Sequence, residues 1–111
     1  MSHLAEKKCA PCSGEVPALE ADQVARLAGQ LSDWQVKDNK RLQKTFRFDN
    51  FSKAMSLAQK IAVIADEENH HPDLHVRWGE LHVDLWTHKI DALTENDFIL
   101  AAKIDQCAVA S

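Results

Sequence analysis

From Leu74 to Trp78, and again from Leu81 to Leu85, the apolar residues fall on every second position. Leu74, Val76 and Trp78 alternate with His75 and Arg77, and Leu81, Val83 and Leu85 alternate with His82, Asp84 and Trp86. A period of two places successive side chains on opposite faces of a strand, so each run has one face that must leave water. Gly79-Glu80, with glycine first, suits a two-residue turn that folds the runs into a hairpin. Such a hairpin is not stable alone, and its apolar face needs a cover. The same rhythm occurs earlier. Trp34-Gln35-Val36 and Leu42 to Phe48 read as two strands around Lys37 to Arg41, with a turn near Asp38-Asn39 and with Leu42, Phe46 and Phe48 set against Gln43, Thr45 and Arg47. Lys44 alone interrupts that apolar series.

The cover lies in three segments of helical period. Val24, Leu27, Ala28 and Leu31 share one helical face. Asp49 or Asn50 can cap a second helix with the stripe Ala54, Leu57, Ala58, Ile61 and Ile64, which Asn69 and Pro72 suit as end and exit. Thr94-Glu95-Asn96-Asp97 resembles a capping box ahead of Phe98, Ala101, Ala102, Ile104 and Ala108. The order helix, hairpin, helix, hairpin, helix predicts an α+β fold: a four-stranded antiparallel sheet with three helices packed on one face. The other face would present His82, Asp84, Trp86 and His88 to solvent, a ligand or another subunit. Residues 1–18, with Pro11, Gly14 and Pro17 and no apolar period, are expected to be an irregular N-terminal tail, and residues 19–111 a single domain.

Charge and apolar content narrow the function. A formal net charge of -4 with dispersed Lys and Arg argues against a nucleic-acid surface. No run approaches the roughly 18 apolar residues of a membrane span, and the start lacks the pattern of a signal peptide, so a cytoplasmic location is expected. Three cysteines do not make a disulfide framework. Cys9-Ala10-Pro11-Cys12 would be half of a zinc knuckle without its second half, and reads as a pair of tail cysteines open to oxidation.

Five of the six histidines lie between positions 70 and 88. Imidazole both gives and takes protons near neutrality and is also a common metal ligand. His70-His71-Pro72 stands where the second helix should end, and Pro72 pushes His71 toward extended geometry. Such a pair is often no more than a polar helix terminus. His88 shares the parity of His82, Asp84 and Trp86 and could be a solvated strand end, yet a hairpin would return it to the His70-His71 loop. Two chemistries fit the cluster: proton transfer, or a three-histidine zinc hydrolase or lyase in which His70, His71 and His88 bind the metal and leave a position for water. His75 and His82 read as surface residues.

The series Asp66, three residues, His70-His71-Pro72, five residues, Trp78, nine residues, His88, eight residues, Asp97 closely resembles the signature of the pterin-4a-carbinolamine dehydratases. The likeness spans roughly Leu19 to Ala108 and includes Trp34 and Thr87-His88. It implies the same α+β fold and an enzyme that removes water from 4a-hydroxytetrahydropterin made by aromatic amino-acid hydroxylases, without a metal or organic cofactor. By position, it implies that His70 and His88 transfer protons and that His71 mainly binds the pterin. Asp97 and Asp66 would support the pocket and Trp34 would form part of its wall. Asp97 also has a purely structural reading as the capping-box acid, Asp66 as a solvated helix-end charge, and Trp34 and Trp78 as packing residues. The resemblance further implies homodimers or dimer-paired tetramers, which would cover the edges of so small a sheet. Members of the family that instead bind a homeodomain transcription factor and promote its dimerisation make a non-catalytic module the alternative.

Overall fold

The computed structural model describes residues 4–9 and 17–109. Its regular elements are a 3-10 turn Leu4–Glu6, helix α1 Ala21–Ala28, strands β1 Gln35–Lys37 and β2 Arg41–Arg47, and helix α2 Phe51–Glu68. Strands β3 Asp73–Arg77 and β4 Glu80–Leu85 and helix α3 Glu95–Val109 complete them. The four strands form one antiparallel sheet in the order β1-β2-β4-β3, so the two hairpins meet through β2 and β4. The α+β architecture expected from the alternation is therefore present.

The sheet's apolar face and the helices make one core. Leu42, Leu81, Val83 and Leu85 are fully buried against Leu57 and Ile61 of α2 and Phe98, Leu100 and Ile104 of α3. Burial of each such side chain contributes roughly 1.5–3 kcal/mol, the main force holding helices to sheet. The helix ends follow local rules. Asn50 caps α2 by accepting the Lys53 N–H at 2.9 Å, and Asn69, in the left-handed region at φ 51, ends it. Glu20 opens α1, its N–H donating to Gln23 Oε1 at 2.9 Å.

Three local expectations shift. The second hairpin turns at Trp78-Gly79, because Arg77 pairs with Glu80 and Val76 with Leu81. Arg47 also pairs with Glu80, and the Phe48 N–H donates to the Gly79 carbonyl at 2.8 Å, so Glu80 is held in the strand. Any side chain at position 79 would meet the Phe48 carbonyl at 3.0 Å, which is why glycine stands there. Trp78 is thereby left outside the strand and 70% exposed. In the first hairpin Asp38 and Asn39 do make the turn, both at positive φ, and β1 starts one residue later than expected, after Trp34.

Lys44 has a reason to interrupt its apolar strand face. Its ammonium donates to Asp105 Oδ1 at 2.8 Å and to the Ser32 carbonyl at 3.0 Å, and Asp105 Oδ2 accepts from Trp34 Nε1 at 3.0 Å. The lead-in also does more than expected: Leu4 is buried in the core, and Lys103 of α3 donates to the Ala5 carbonyl at 2.8 Å. Pro11, Cys12 and Gly14 lie outside the described residues. Among the described residues no helix is long and apolar enough to cross a membrane.

Candidate active site

The left-handed residue Asn69 reverses the chain at the end of α2 and gives the two adjacent histidines opposite environments. His70 turns inward, its side chain 4% exposed, while that of His71 is 54% exposed. The His70 N–H closes the helix on the Ala65 carbonyl, and its Nε2 lies 2.6 Å from Asp97 Oδ1. Asp97 is fully buried in the first turn of α3, where the helix dipole favours an anion. Its other oxygen accepts from the Thr94 N–H and the Thr87 hydroxyl, both at 2.9 Å, and the two threonine hydroxyls are 2.9 Å apart. The cap at the start of α3 and the contact to His70 thus fall on one carboxylate. An ionised Asp97 only accepts, so in that state His70 carries its hydrogen on Nε2.

The other two histidines are accessible. His71 Nε2 is 3.0 Å from Asp66 Oδ1 at the exposed end of α2. His88 follows β4 in a short loop closed by the Thr87 to Ala92 bridge. Its side chain is 50% exposed, and its Nε2 lies 3.6 Å from Asp73 Oδ1, an ion-pair distance beyond a hydrogen bond. Its ring packs against Trp86 with centroids 4.2 Å apart. The Arg41 guanidinium covers Trp86 at 4.1 Å and pairs with Asp91 at 2.6 Å, which holds the Asp91 carboxyl below its ordinary range.

His70, His71 and Pro72 lead into Asp73, and Asp73 faces His88, so the two histidine-bearing segments meet at one corner of the sheet. Beside them Arg41, Gln43, Asp73, Asp84 and Trp86 line an open depression of about 370 Å³. That is within the range of roughly 300–1,000 Å³ typical of small-molecule sites. On the same face Asp84 accepts from Gln43 at 2.8 Å and stands 3.2 Å from His82 and 3.4 Å from His75. His75 and His82 are therefore ordered by a shared carboxylate on the open face.

Trp34 is not brought to the histidines. It is buried and bonded to Asp105, and α3 rises about 12 Å between Asp97 and Asp105. Cys9 lies behind the site: its N–H donates to Glu68 and its Sγ is 3.6 Å from the Asn96 carbonyl, and burial pushes its thiol up to about 12. His70, His71 and His88 each face a different carboxylate, and among the described residues no three His, Cys, Asp or Glu side chains form a group that could hold a metal ion. No local sequence pattern marks Asp73 or Arg41 as neighbours of His88. Thr87 was detectable, since it continues the buried parity of Leu81, Val83 and Leu85 with a hydroxyl that needs a partner.

Comparison with known proteins identifies the family. Residues 17–107 match the family described as pterin 4 alpha carbinolamine dehydratase. Relatives named after that enzyme align nearly end to end. One from Rickettsia canadensis (strain McKiel) is 53% identical over 106 residues, covering 95% of this chain and 97% of the relative. Another, from Rubrobacter xylanophilus, is 48% identical, covering 96% and 99%. A solved structure titled as a transcriptional coactivator/pterin dehydratase from Brucella melitensis superposes with a TM-score of 0.78 at 27% identity, covering 83% of this chain and 99% of that one. A pterin dehydratase-like protein identified as a RuBisCO assembly factor shares the fold alone, at a TM-score of 0.60 and 20% identity. The match over residues 17–107, together with relatives 53% and 48% identical over nearly their whole length, places this chain in the pterin 4 alpha carbinolamine dehydratase family.

Proposed function

We propose that this protein dehydrates 4a-hydroxytetrahydropterin to quinonoid dihydropterin by histidine acid-base catalysis. The observation that carries the reading is the convergence of His70, His71 and His88 on one corner of the sheet, each facing its own carboxylate. In the reaction the C4a–O bond breaks, the hydroxyl leaves as water with a delivered proton, and N5 loses a proton as the C4a–N5 double bond forms. Two imidazoles reaching different sides of a planar heterocycle are suited to these transfers, worth typically about 10²–10⁴ in rate. His88 is the accessible proton-transfer group and His70 the buried one, its ring set by Asp97. His71, held by Asp66, binds the pterin. The reaction so written needs neither a metal nor an organic cofactor, and the aromatic amino-acid hydroxylases are the reactions that would supply the substrate.

The test is loss of the 4a-carbinolamine absorbance with and without the purified protein. Acceleration that survives chelator supports the proposal, and a rate equal to the uncatalysed one rejects it. The second outcome would favour a non-catalytic module, and the Brucella relative is described as a transcriptional coactivator as well as a pterin dehydratase. Among the described residues both β1 and β3 leave an edge open, which supports a homodimer or homotetramer, and the cytoplasm is its proposed location. A 12.5 kDa species in light scattering at micromolar concentration would refute the assembly.

A further inference from the structure

We infer that Arg41 and Trp86 are positioning residues for His88, acting as a clamp that sets the orientation of its ring. The inference rests on the reading of His88 as a proton-transfer group. The carboxylate that faces His88 is Asp73 at 3.6 Å, too far for a hydrogen bond to orient the ring. Orientation therefore falls to Trp86, whose ring meets that of His88 at 4.2 Å with a 51° tilt. Trp86 in turn carries the Arg41 guanidinium 4.1 Å from its centroid, the geometry of a cation-π contact.

Arg41 reaches the same histidine by a second route. Its Nη2 is 2.6 Å from Asp91 Oδ1, and the Asp91 N–H bonds back to the His88 carbonyl at 3.4 Å. Asp91 sits at φ 50, a conformation an aspartate adopts at some cost and that the ion pair helps to hold. One guanidinium from β2 thus grips the His88 loop through its backbone and its ring. In β2–β4 register Leu42 pairs with Leu85, which places Arg41 opposite Trp86 on the open face. Arg41 makes these contacts on the open face, whereas Trp86 is partly buried and packs against the core, so Arg41→Ala tests the clamp in a chain that keeps its core.

The experiment compares Trp86→Leu and Arg41→Ala with the intact protein, and with Arg47→Ala as a control from the same sheet face. His88 ring resonances report the stack through the ring current of the indole. They should move toward their unstructured positions in Trp86→Leu and partly so in Arg41→Ala, and stay put in Arg47→Ala. Because misplacing a reacting group by about 1 Å can cost up to roughly 100-fold, kcat should fall by about 10-fold or more in Trp86→Leu and Arg41→Ala and hold within about 2-fold in Arg47→Ala. Unchanged His88 resonances in both variants would overturn the clamp, as would moved resonances with full kcat. If the intact protein shows no dehydratase activity, the resonances alone decide whether the stack exists, and the fault lies with the functional reading.

Discussion

Replacing Asp97 by asparagine tests the buried pair through the hydrogens it can accommodate. Asp97 Oδ2 accepts two hydrogens, from the Thr94 N–H and the Thr87 hydroxyl, and Oδ1 faces His70 Nε2 at 2.6 Å. In Asp97→Asn the amide oxygen must take the threonine side, because an NH2 there would meet the Thr94 N–H head on. The NH2 is then left facing His70, which can accept only if its own hydrogen moves to Nδ1. The substitution therefore reverses the His70 tautomer while preserving shape. Loss of charge-assisted bonds costs about 1–3 kcal/mol after allowing for the cheaper burial of a neutral group, so Tm should drop by about 5–20 °C with the fold intact. With the wrong tautomer presented, kcat should fall by roughly 10²–10⁴. Imidazole nitrogen chemical shifts report the tautomer, calorimetry the stability, and stopped-flow absorbance the rate. A His70 that keeps its hydrogen on Nε2, or a reversed tautomer with kcat within about 2-fold, would refute the reasoning.

The accessible groups and the buried thiol give further outcomes. His88→Gln should leave Tm within a few degrees, since an exposed side chain contributes about 0.5 kcal/mol or less, while lowering kcat by roughly 10-fold to 10⁴-fold. Full activity in that variant would remove His88 from the mechanism. In a Cys12→Ser background, alkylation of Cys9 should be at least about 30-fold slower in the folded protein, because its thiol is raised from 9.0 to about 12 and the greater nucleophilicity of such a thiolate offsets half of that shift. Equal rates in the folded and urea-unfolded chains would contradict the burial. Asp91 is depressed below 3.8 by Arg41, so its stabilisation of the His88 loop is present above that value and is lost as pH falls through the lowered one. Amide exchange in residues 88–91 should accelerate in that acid window in the native chain and be flat in Arg41→Ala, and identical profiles would sink the assignment.

The elements were legible because their period is local. Leu81, Val83 and Leu85 alternate, Leu57 and Ile61 share a helical stripe, and Asn50 and Asn69 mark helix ends that the structure uses as such. What escaped was set by partners distant in sequence. Lys44 looked like a flaw in a strand until Asp105 faced it across the core. The turn at Trp78-Gly79 differs from the expected one by a slip that keeps every side chain on its face, so alternation could not choose between them. The ladder to Phe48 did. Leu4 stands apart from any periodic run, so its burial against α3 had no signal. At the site, the crowding of histidines marked His70, His71 and His88, and the resemblance to the dehydratase signature added Asp97 to them. That His70 is enclosed and His71 open depends on one left-handed residue between helix and strand, and that Arg41 belongs beside them depends on strand register.

The strand order has a consequence for how the chain is made. β2 meets β1 across a short turn, but its other neighbour is β4, with Leu42 meeting Leu85. Closing so long a loop is slow compared with forming a hairpin. While the ribosome is still translating, the His70-His71 corner is therefore complete in sequence but has neither His88 nor the buried Asp97 to work against. Both lie within the last quarter of the chain. The corner can acquire its final form only after α3 has emerged and sealed the sheet, so a prematurely released chain would carry the paired histidines without the buried carboxylate that His70 faces.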